Sequence, residues 1–319
     1  MNAMGYDSPG GPDVLRPGTV PRPTPLPTEI LVRVTASGLN PVDWRTRAGA
    51  PTPAAAAQGD GFHVLGWDVS GVVEQVGPGV HLFTPGDEVL GLPLFPRPAG
   101  ADSDFVCAPS RHFVRKPASM NHVEAAALPL AGLTAWQALT DMITIEPGQR
   151  VLIHAAGGGV GHLAVQIAKH FGAYVIGTAS AARHEWLRSL GADELIDHHT
   201  QLFEDEVQNL DVVVDLVGGF PQNDIARRSI NVLKPGGTLV RVAPGGTDGL
   251  LEAAGQQGIE VTPEILVEPD YAGLLALTGL VDLGALTVEV QQTFPLAELA
   301  AAHRLGETNR VQGKLVIIH

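Results

Sequence analysis

Ala155-Ala156-Gly157-Gly158-Gly159-Val160-Gly161 stands between the apolar run 151–156 and a segment where Leu163, Ile167, Ala168 and Phe171 recur at helical spacing. An apolar run, a glycine turn and an amphipathic helix in that order make a β–turn–α unit. Glycines there let the chain turn sharply and let a phosphate approach the backbone. The unpaired N–H groups and the dipole at the helix start favour a diphosphate. Gly161 additionally permits close packing of the helix. The competing reading, a glycine-rich turn that binds nothing, is weakened by the strand before the turn, the helix after it and the later β/α units.

Further strand candidates lie at 174–179, 194–198, 211–217, 237–243 and 259–266, with helical segments such as 184–190 and 224–233 between them. This alternation implies an α/β fold with a doubly wound parallel sheet. Ligands in such sheets lie at the carboxyl ends of strands. Val217 and Gly218, after the fourth strand, and Ala243 and Pro244, after the fifth, should therefore border a nicotinamide. At the end of the second strand a free ribose 2′-hydroxyl would usually meet Asp or Glu. The sequence instead reads Gly177-Thr178-Ala179-Ser180-Ala181-Ala182-Arg183. The Ser180 hydroxyl and the Arg183 guanidinium offer charge-assisted hydrogen bonds to a 2′-phosphate, which favours NADPH over NADH. The alternative for Arg183 is a solvated helix residue.

Outward from this unit the texture changes. Residues 1–121 hold short β-branched segments at 29–35, 69–76, 87–90 and 105–114, broken by Gly and Pro, as in a small, strongly curved all-β unit. Asn121 followed by Glu124 signals a helix start, and 125–139 continues the helix with Pro129 as a break or kink. That helix is expected to link two domains. The tail 271–319 carries a helical stretch at 296–305 and a final strand at 314–318, and is expected to return to the first domain. The expected boundaries are 1–121 with 268–319, and 122–267.

With 319 residues, 45% of them hydrophobic and 17% charged, the chain has room for two globular domains and excludes disorder or collagen as whole-chain readings. Twenty basic against 34 acidic side chains leave a net charge of −14, which argues against nucleic acid or anionic membrane as a partner. One cysteine, Cys107, makes no internal disulfide and cannot supply a zinc thiolate cluster. The first basic residue is Arg16 and no long uninterrupted apolar run occurs, so the expectation is a soluble cytoplasmic protein.

The chain resembles the medium-chain dehydrogenase/reductase superfamily, specifically its zinc-independent quinone oxidoreductase branch. The resemblance covers nearly the whole chain. It rests on Gly10-Gly11-Pro12-Asp13-Val14-Leu15, Gly38-Leu39-Asn40-Pro41-Val42-Asp43, Gly66-Trp67-Asp68-Val69-Ser70-Gly71, Gly86-Asp87-Glu88-Val89, Leu128-Pro129 through Gly132-Leu133-Thr134-Ala135, the glycine turn, Leu233-Lys234-Pro235-Gly236-Gly237 and Gly313-Lys314. It implies a GroES-like catalytic domain that is mostly β, a Rossmann domain, and an active cleft between them.

In zinc-bearing relatives a Cys stands at the position of Asn40 and a His at that of Trp67, so no metal is expected here. The twelve histidines form no convincing His-x-x-x-His pair, and the adjacent His198 and His199 would point differently along a strand. The resemblance assigns Asn40 as an amide donor to a substrate oxygen and Asp43 as a residue that fixes that loop or relays a proton. Trp67 would wall the cleft, and Thr134 would contact the cofactor. His198 stands where relatives commonly carry a Tyr near the adenine phosphate end. Lys314 follows Gly313 as in the family. For each a structural role is the alternative. Many relatives carry a Tyr where this chain has Trp44-Arg45-Thr46 and another aromatic where it has Asp102, so no general acid is assigned. The implied activity is NADPH-dependent hydride transfer to a small-molecule quinone or enone, in a homodimer whose exposed edge is expected near 238–242. The alternatives are an enoyl-thioester reductase of fatty-acid or polyketide type and a non-catalytic NADPH-binding sensor or scaffold.

Overall fold

The β-branched residues Ile30, Val32, Val34 and Thr35 favour extended backbone and open an eleven-residue strand, Glu29–Leu39, on which the first part of the structure is built. The computed structural model describes residues 1–57, 61–220, 223–245 and 249–319. A seven-stranded sheet runs in the order Val290–Pro295, Lys314–Ile318, Glu29–Leu39, Asp68–Val76, Glu88–Gly91 and Phe113–Arg115, with Phe105–Pro109 also paired to Glu29–Leu39. Val32, Val69, Val73, Val89, Val106 and Phe113 fill its core. A smaller sheet pairs Asn2–Tyr6 with Arg16–Thr19 and His63–Val64. This is the mostly β unit read from the glycine- and proline-broken segments.

The Asn121 signal forms as a capping box. Its Oδ1 accepts the N–H groups of Val123 and Glu124, while the Glu124 carboxylate accepts the Asn121 N–H. The helix His122–Ala127 comes next, and Pro129 opens a second helix, Pro129–Thr140. The chain divides into two compact units, Met1–Leu133 with Val267–His319, and Thr134–Leu266. The division therefore falls within the second helix, not before residue 122. The reason is packing: Ala126 and Ala127 share a buried cluster with Ala36 and Val316 of the first unit. The tail holds two elements that the sequence pattern does not reveal, the helix Tyr271–Asp282 and the strand Val290–Pro295. The helix is apolar nearly all round, so it offers no amphipathic period to read.

In the second unit six strands lie in the order Glu194–Asp197, Tyr174–Ala179, Arg150–Ile153, Leu210–Asp215, Leu233–Arg241 and Glu260–Val261. Every neighbouring pair is parallel. Numbered along the chain, the order is 3-2-1-4-5-6, the doubly wound Rossmann arrangement, with its switch point beside the first strand. Leu152, Ile176, Val213, Leu239 and Ile230 belong to its core. The last strand is shorter than 259–266 because Pro263 interrupts it, although Ile265 N–H still reaches the Arg241 carbonyl. That strand also corrects the expected edge: Thr238 and Leu239 pair with Glu260 and Val261, so 238–242 is covered. Among the described residues no helix is long and apolar enough to cross a membrane.

Candidate functional site

The glycine turn succeeds the strand Arg150–Ile153 at the switch point. Beneath it His154 is buried, its two ring nitrogens paired with Thr178 Oγ1 at 3.2 Å and Ser229 Oγ at 3.0 Å. Burial, with the Arg228 charge second, pushes this imidazole down to a pKa of about 3, so it is a neutral structural pin. The left-handed residue of the turn is Ala155, with φ of 50°, and not one of the glycines expected to supply the sharp bend. The glycines serve close approach instead. A Cβ on Gly161 would lie 2.3 Å from the Ala155 oxygen, and one on Gly157 would lie 2.7 Å from Arg183 Cδ. Gly158 is tight as well, at 3.3 Å from the Ala155 oxygen. Beyond the turn, Gly161–His170 is a ten-residue helix with Val160 at its N-cap. Among the described residues, no acceptor takes the backbone N–H of Gly159, Val160 or Gly161.

Ser180 begins the turn after the second strand, Tyr174–Ala179, and Arg183 lies just beyond it. Arg183 Nη1 donates to the Gly157 carbonyl at 3.2 Å, so the guanidinium lies across the glycine turn. The two halves of the nucleotide reading thus meet. His198 joins them, because its ring faces the Ala179 carbonyl and senses the Arg183 charge. His199, expected to point elsewhere, lies with its ring centroid 4.1 Å from that of His198. The strand ends at Asp197, and side chains alternate only within a strand.

After the fourth strand, the Asp215 carboxylate accepts the N–H groups of Val217 at 2.9 Å and Gly218 at 3.0 Å. Gly218 is left-handed, and a Cβ there would lie 2.5 Å from the Pro244 oxygen and 3.1 Å from Ala243 Cβ. The four residues assigned to a nicotinamide border are therefore neighbours. Asp215, which organises them, is absent from the sequence assignment, although an Asp two and three residues before turn N–H groups is an Asx-turn signal. Thr134 is buried at the start of the second unit.

The first unit holds a buried polar network. Lys314, 3% exposed, donates from Nζ to the Leu39 carbonyl at 3.1 Å, to Asp68 Oδ2 at 3.2 Å and to Asn40 Oδ1. Those contacts take all three ammonium hydrogens, leaving none for a cofactor phosphate. Asn40 Nδ2 donates to Asp68 Oδ2 at 2.8 Å and to the Gly38 carbonyl at 3.3 Å, so its amide is turned inward and not toward a substrate. Asp68 Oδ1 accepts Leu130 N–H at 2.6 Å. Asp43 accepts the Asn40 N–H at 2.7 Å as a helix cap. Burial first, then the like charges of Asp102 and Asp68, hold the Asp43 carboxyl well above the usual range. Asp102 is also buried, bonded to Ser37 Oγ at 3.1 Å, and pushed up to about 7 by burial. Trp67 is 1% exposed, donates from Nε1 to the Arg97 carbonyl at 2.8 Å and meets Phe95 edge-on. It packs behind the surface. Nothing in local spacing announces Asp68, whose partners lie 28 and 246 residues away.

Residues 190–317 match the zinc-binding dehydrogenase family and residues 26–118 match the alcohol dehydrogenase GroES-like domain. The chain is 35% identical over 331 residues to the 2-haloacrylate reductase of a Burkholderia species, covering 97% of this chain and 96% of that protein. The quinone oxidoreductase from Coxiella burnetii superposes with a TM-score of 0.91 at 37% identity, over 100% of this chain and 99% of that one. The Escherichia coli quinone oxidoreductase complexed with NADPH superposes with a TM-score of 0.85 at 26% identity, over the full length of both. The chain belongs to the medium-chain dehydrogenase/reductase superfamily, in its quinone oxidoreductase-like branch.

As a medium-chain dehydrogenase/reductase it is an NAD(P)H-dependent oxidoreductase. Its residues fit a nicotinamide dinucleotide: unpaired N–H groups at 159–161 suit a diphosphate, and the Gly161 approach leaves the backbone open to it. Despite the zinc in the family's name, among the described residues no three His, Cys, Asp or Glu side chains are grouped to hold a metal ion. Cys107 takes no part. Burial, then its hydrogen bond to Glu29 and that carboxylate's charge, push its thiol up to about 12. Alkylation of the native protein by iodoacetamide near pH 7.5 should be about a thousandfold slower than that of a free cysteine of ordinary pKa. Mass spectrometry of native against denatured protein checks this.

Proposed function

We propose that this reductase passes a hydride from NADPH to a quinone or an activated alkene without a metal. The observation that carries the reading is the Lys314 ammonium, which bridges the Asn40 amide and the Asp68 carboxylate. An internal cation thus occupies the oxygens nearest the positions where zinc-bearing relatives place ligands. Without a Lewis acid, a developing alkoxide from a simple ketone lacks its strongest stabiliser, whereas a conjugated acceptor spreads the charge onto a distant oxygen. Similarity to a 2-haloacrylate reductase and to quinone oxidoreductases agrees with that choice.

When bound, the dinucleotide supplies a hydride from its nicotinamide C4. The acceptor gains that hydride and a proton, and NADPH becomes NADP+. The chain's own part is to hold and orient. Gly159, Val160 and Gly161 would hold the diphosphate through backbone N–H groups, and Ser180 with Arg183 would hold the 2′-phosphate. Asp215 fixes the 217–218 loop against 243–244, where the nicotinamide would rest.

The test is NADPH oxidation, with NADH alongside, against quinones, enones and enoyl thioesters. Turnover of quinones or enones is expected, unchanged by EDTA. Arg183→Ala should raise the KM for NADPH about tenfold and leave that for NADH near its native value. Binding of NADPH without turnover of any acceptor would overturn the catalytic reading.

A further inference from the structure

The end of the second strand gathers three imidazoles around the guanidinium assigned to the 2′-phosphate. Beside Arg183, His184 Nε2 hydrogen-bonds the Ala179 carbonyl at 3.2 Å, and the His198 ring faces the same carbonyl. His199 completes the group with its ring 4.1 Å from that of His198. The pair is fixed by its turn. The Asp197 carboxylate accepts His199 N–H at 3.1 Å and Thr200 Oγ1 at 3.3 Å, and Gln201 Oε1 accepts Asp197 N–H at 3.0 Å. Both histidines are exposed, so they are open to a ligand.

We propose that His198 and His199 form a protonation-dependent specificity element that strengthens discrimination of NADPH from NADH as pH falls. The proposal rests on the assignment of Ser180 and Arg183 to the 2′-phosphate. Two imidazoles this close repel one another when both are charged, and Arg183 adds to the repulsion, while Asp197 opposes it. Those contributions, after burial as the largest, hold His198 below its ordinary value. A bound phosphate dianion offsets the repulsion and raises His198 from its lowered value. By linkage, phosphate binding then takes up protons, and affinity grows as pH falls through the raised bound value toward the free one. NADH, lacking the phosphate, gains nothing. The phosphate's own second ionisation, at about 6, works in the opposite direction, so a rising preference cannot come from the ligand alone.

The experiment is calorimetric titration of the full chain with NADPH and NADH from pH 8 to pH 6.5, in two buffers of different ionisation enthalpy. The native protein should show proton uptake with NADPH and not with NADH, and its NADPH-to-NADH affinity ratio should rise about threefold or more across that range. A His198→Gln, His199→Gln variant should lose the uptake and the slope while still preferring NADPH at pH 8. A native ratio that stays flat or falls, with Arg183→Ala still weakening NADPH, overturns the histidine inference and leaves the 2′-phosphate reading standing. No NADPH preference at any pH, and no effect of Arg183→Ala, overturns both.

Discussion

Lys314→Met is expected to destabilise the first unit by about 3–5 kcal/mol, the cost of leaving one member of a buried ion pair alone. Asp68 is fully buried and Lys314 nearly so, and the ammonium is the only full positive charge bonded to that carboxylate among the described residues. Removing it leaves Asp68 with two neutral donors, Asn40 Nδ2 and Leu130 N–H, and strips the Leu39 carbonyl and Asn40 Oδ1 of their shared donor. Methionine fills the volume, so the loss isolates the charge from the packing. Burial already raises the Asp68 carboxyl, with Lys314 the strongest influence holding it down. In the variant the folded pKa should therefore climb further above the unfolded one. The deficit should be largest at pH 7.5 and shrink as pH falls through the raised folded value. Asp68→Asn combined with Lys314→Met, which removes both charges, should recover most of the loss. Urea unfolding monitored by tryptophan fluorescence measures all three. A loss below about 1 kcal/mol, or no recovery in the double variant, would show that the pair is not coupled as the distances imply.

How much is legible in the sequence depends on the reach of each physical signal. The turn 155–161 announces itself because close approach tolerates only small residues: a Cβ on Gly161 would meet backbone, and one on Gly157 would meet the Arg183 side chain. The parallel sheet is legible because its central strands carry buried apolar runs, Val151 to Ile153, Val175 with Ile176, and Val212 to Val214. Period-based reading fails where the period stops. His198 and His199 read as strand residues, yet the strand ends one residue earlier and the turn brings both rings to one side. The edge at 238–242 reads as open because strand pairing is not a local signal: 259–266 reads as a strand without revealing that Glu260 and Val261 lie against Thr238 and Leu239.

The buried network marks the limit from the other direction. Resemblance alone singles out Asn40, Asp43, Trp67 and Lys314, and the structure brings Asn40, Asp43 and Lys314 together in the first unit, with Trp67 packed behind the surface. Their bonding partners come from distant parts of the chain, so no window of sequence displays them. One consequence is a change of role. An amide and an ammonium that look like groups facing a ligand spend their hydrogens on one another and on Asp68, while the Asp43 carboxylate caps the helix at Asn40 through one oxygen only, its Oδ1 being buried without a partner. Hydrogen bonds already made inside cannot be offered outside.

Gly161→Ala should weaken NADPH binding by about thirtyfold or more and destabilise the second unit by about 1–3 kcal/mol, the range for overpacking a tight site. The sign is opposite to the usual one, because alanine at a helix position ordinarily gains up to about 1 kcal/mol over glycine. What reverses it is the neighbourhood. A Cβ at 161 would lie 2.3 Å from the Ala155 oxygen, 2.7 Å from Ala156 Cα and 2.8 Å from the Ala156 carbonyl carbon. All three are backbone atoms, so no side chain can rotate aside. Ala155 is already left-handed, which leaves the turn little room to relax. The helix start must shift instead, carrying the N–H groups of Gly159, Val160 and Gly161 away from the positions that suit a diphosphate. Gly255→Ala is the control, since that exposed helical glycine has no atom within 4 Å of a new Cβ. It should stabilise by up to about 1 kcal/mol and leave binding unchanged. Urea unfolding and fluorescence titration with NADPH separate the two positions. Native affinity in Gly161→Ala would mean that these backbone donors do not hold the dinucleotide, whatever the resemblance of the turn.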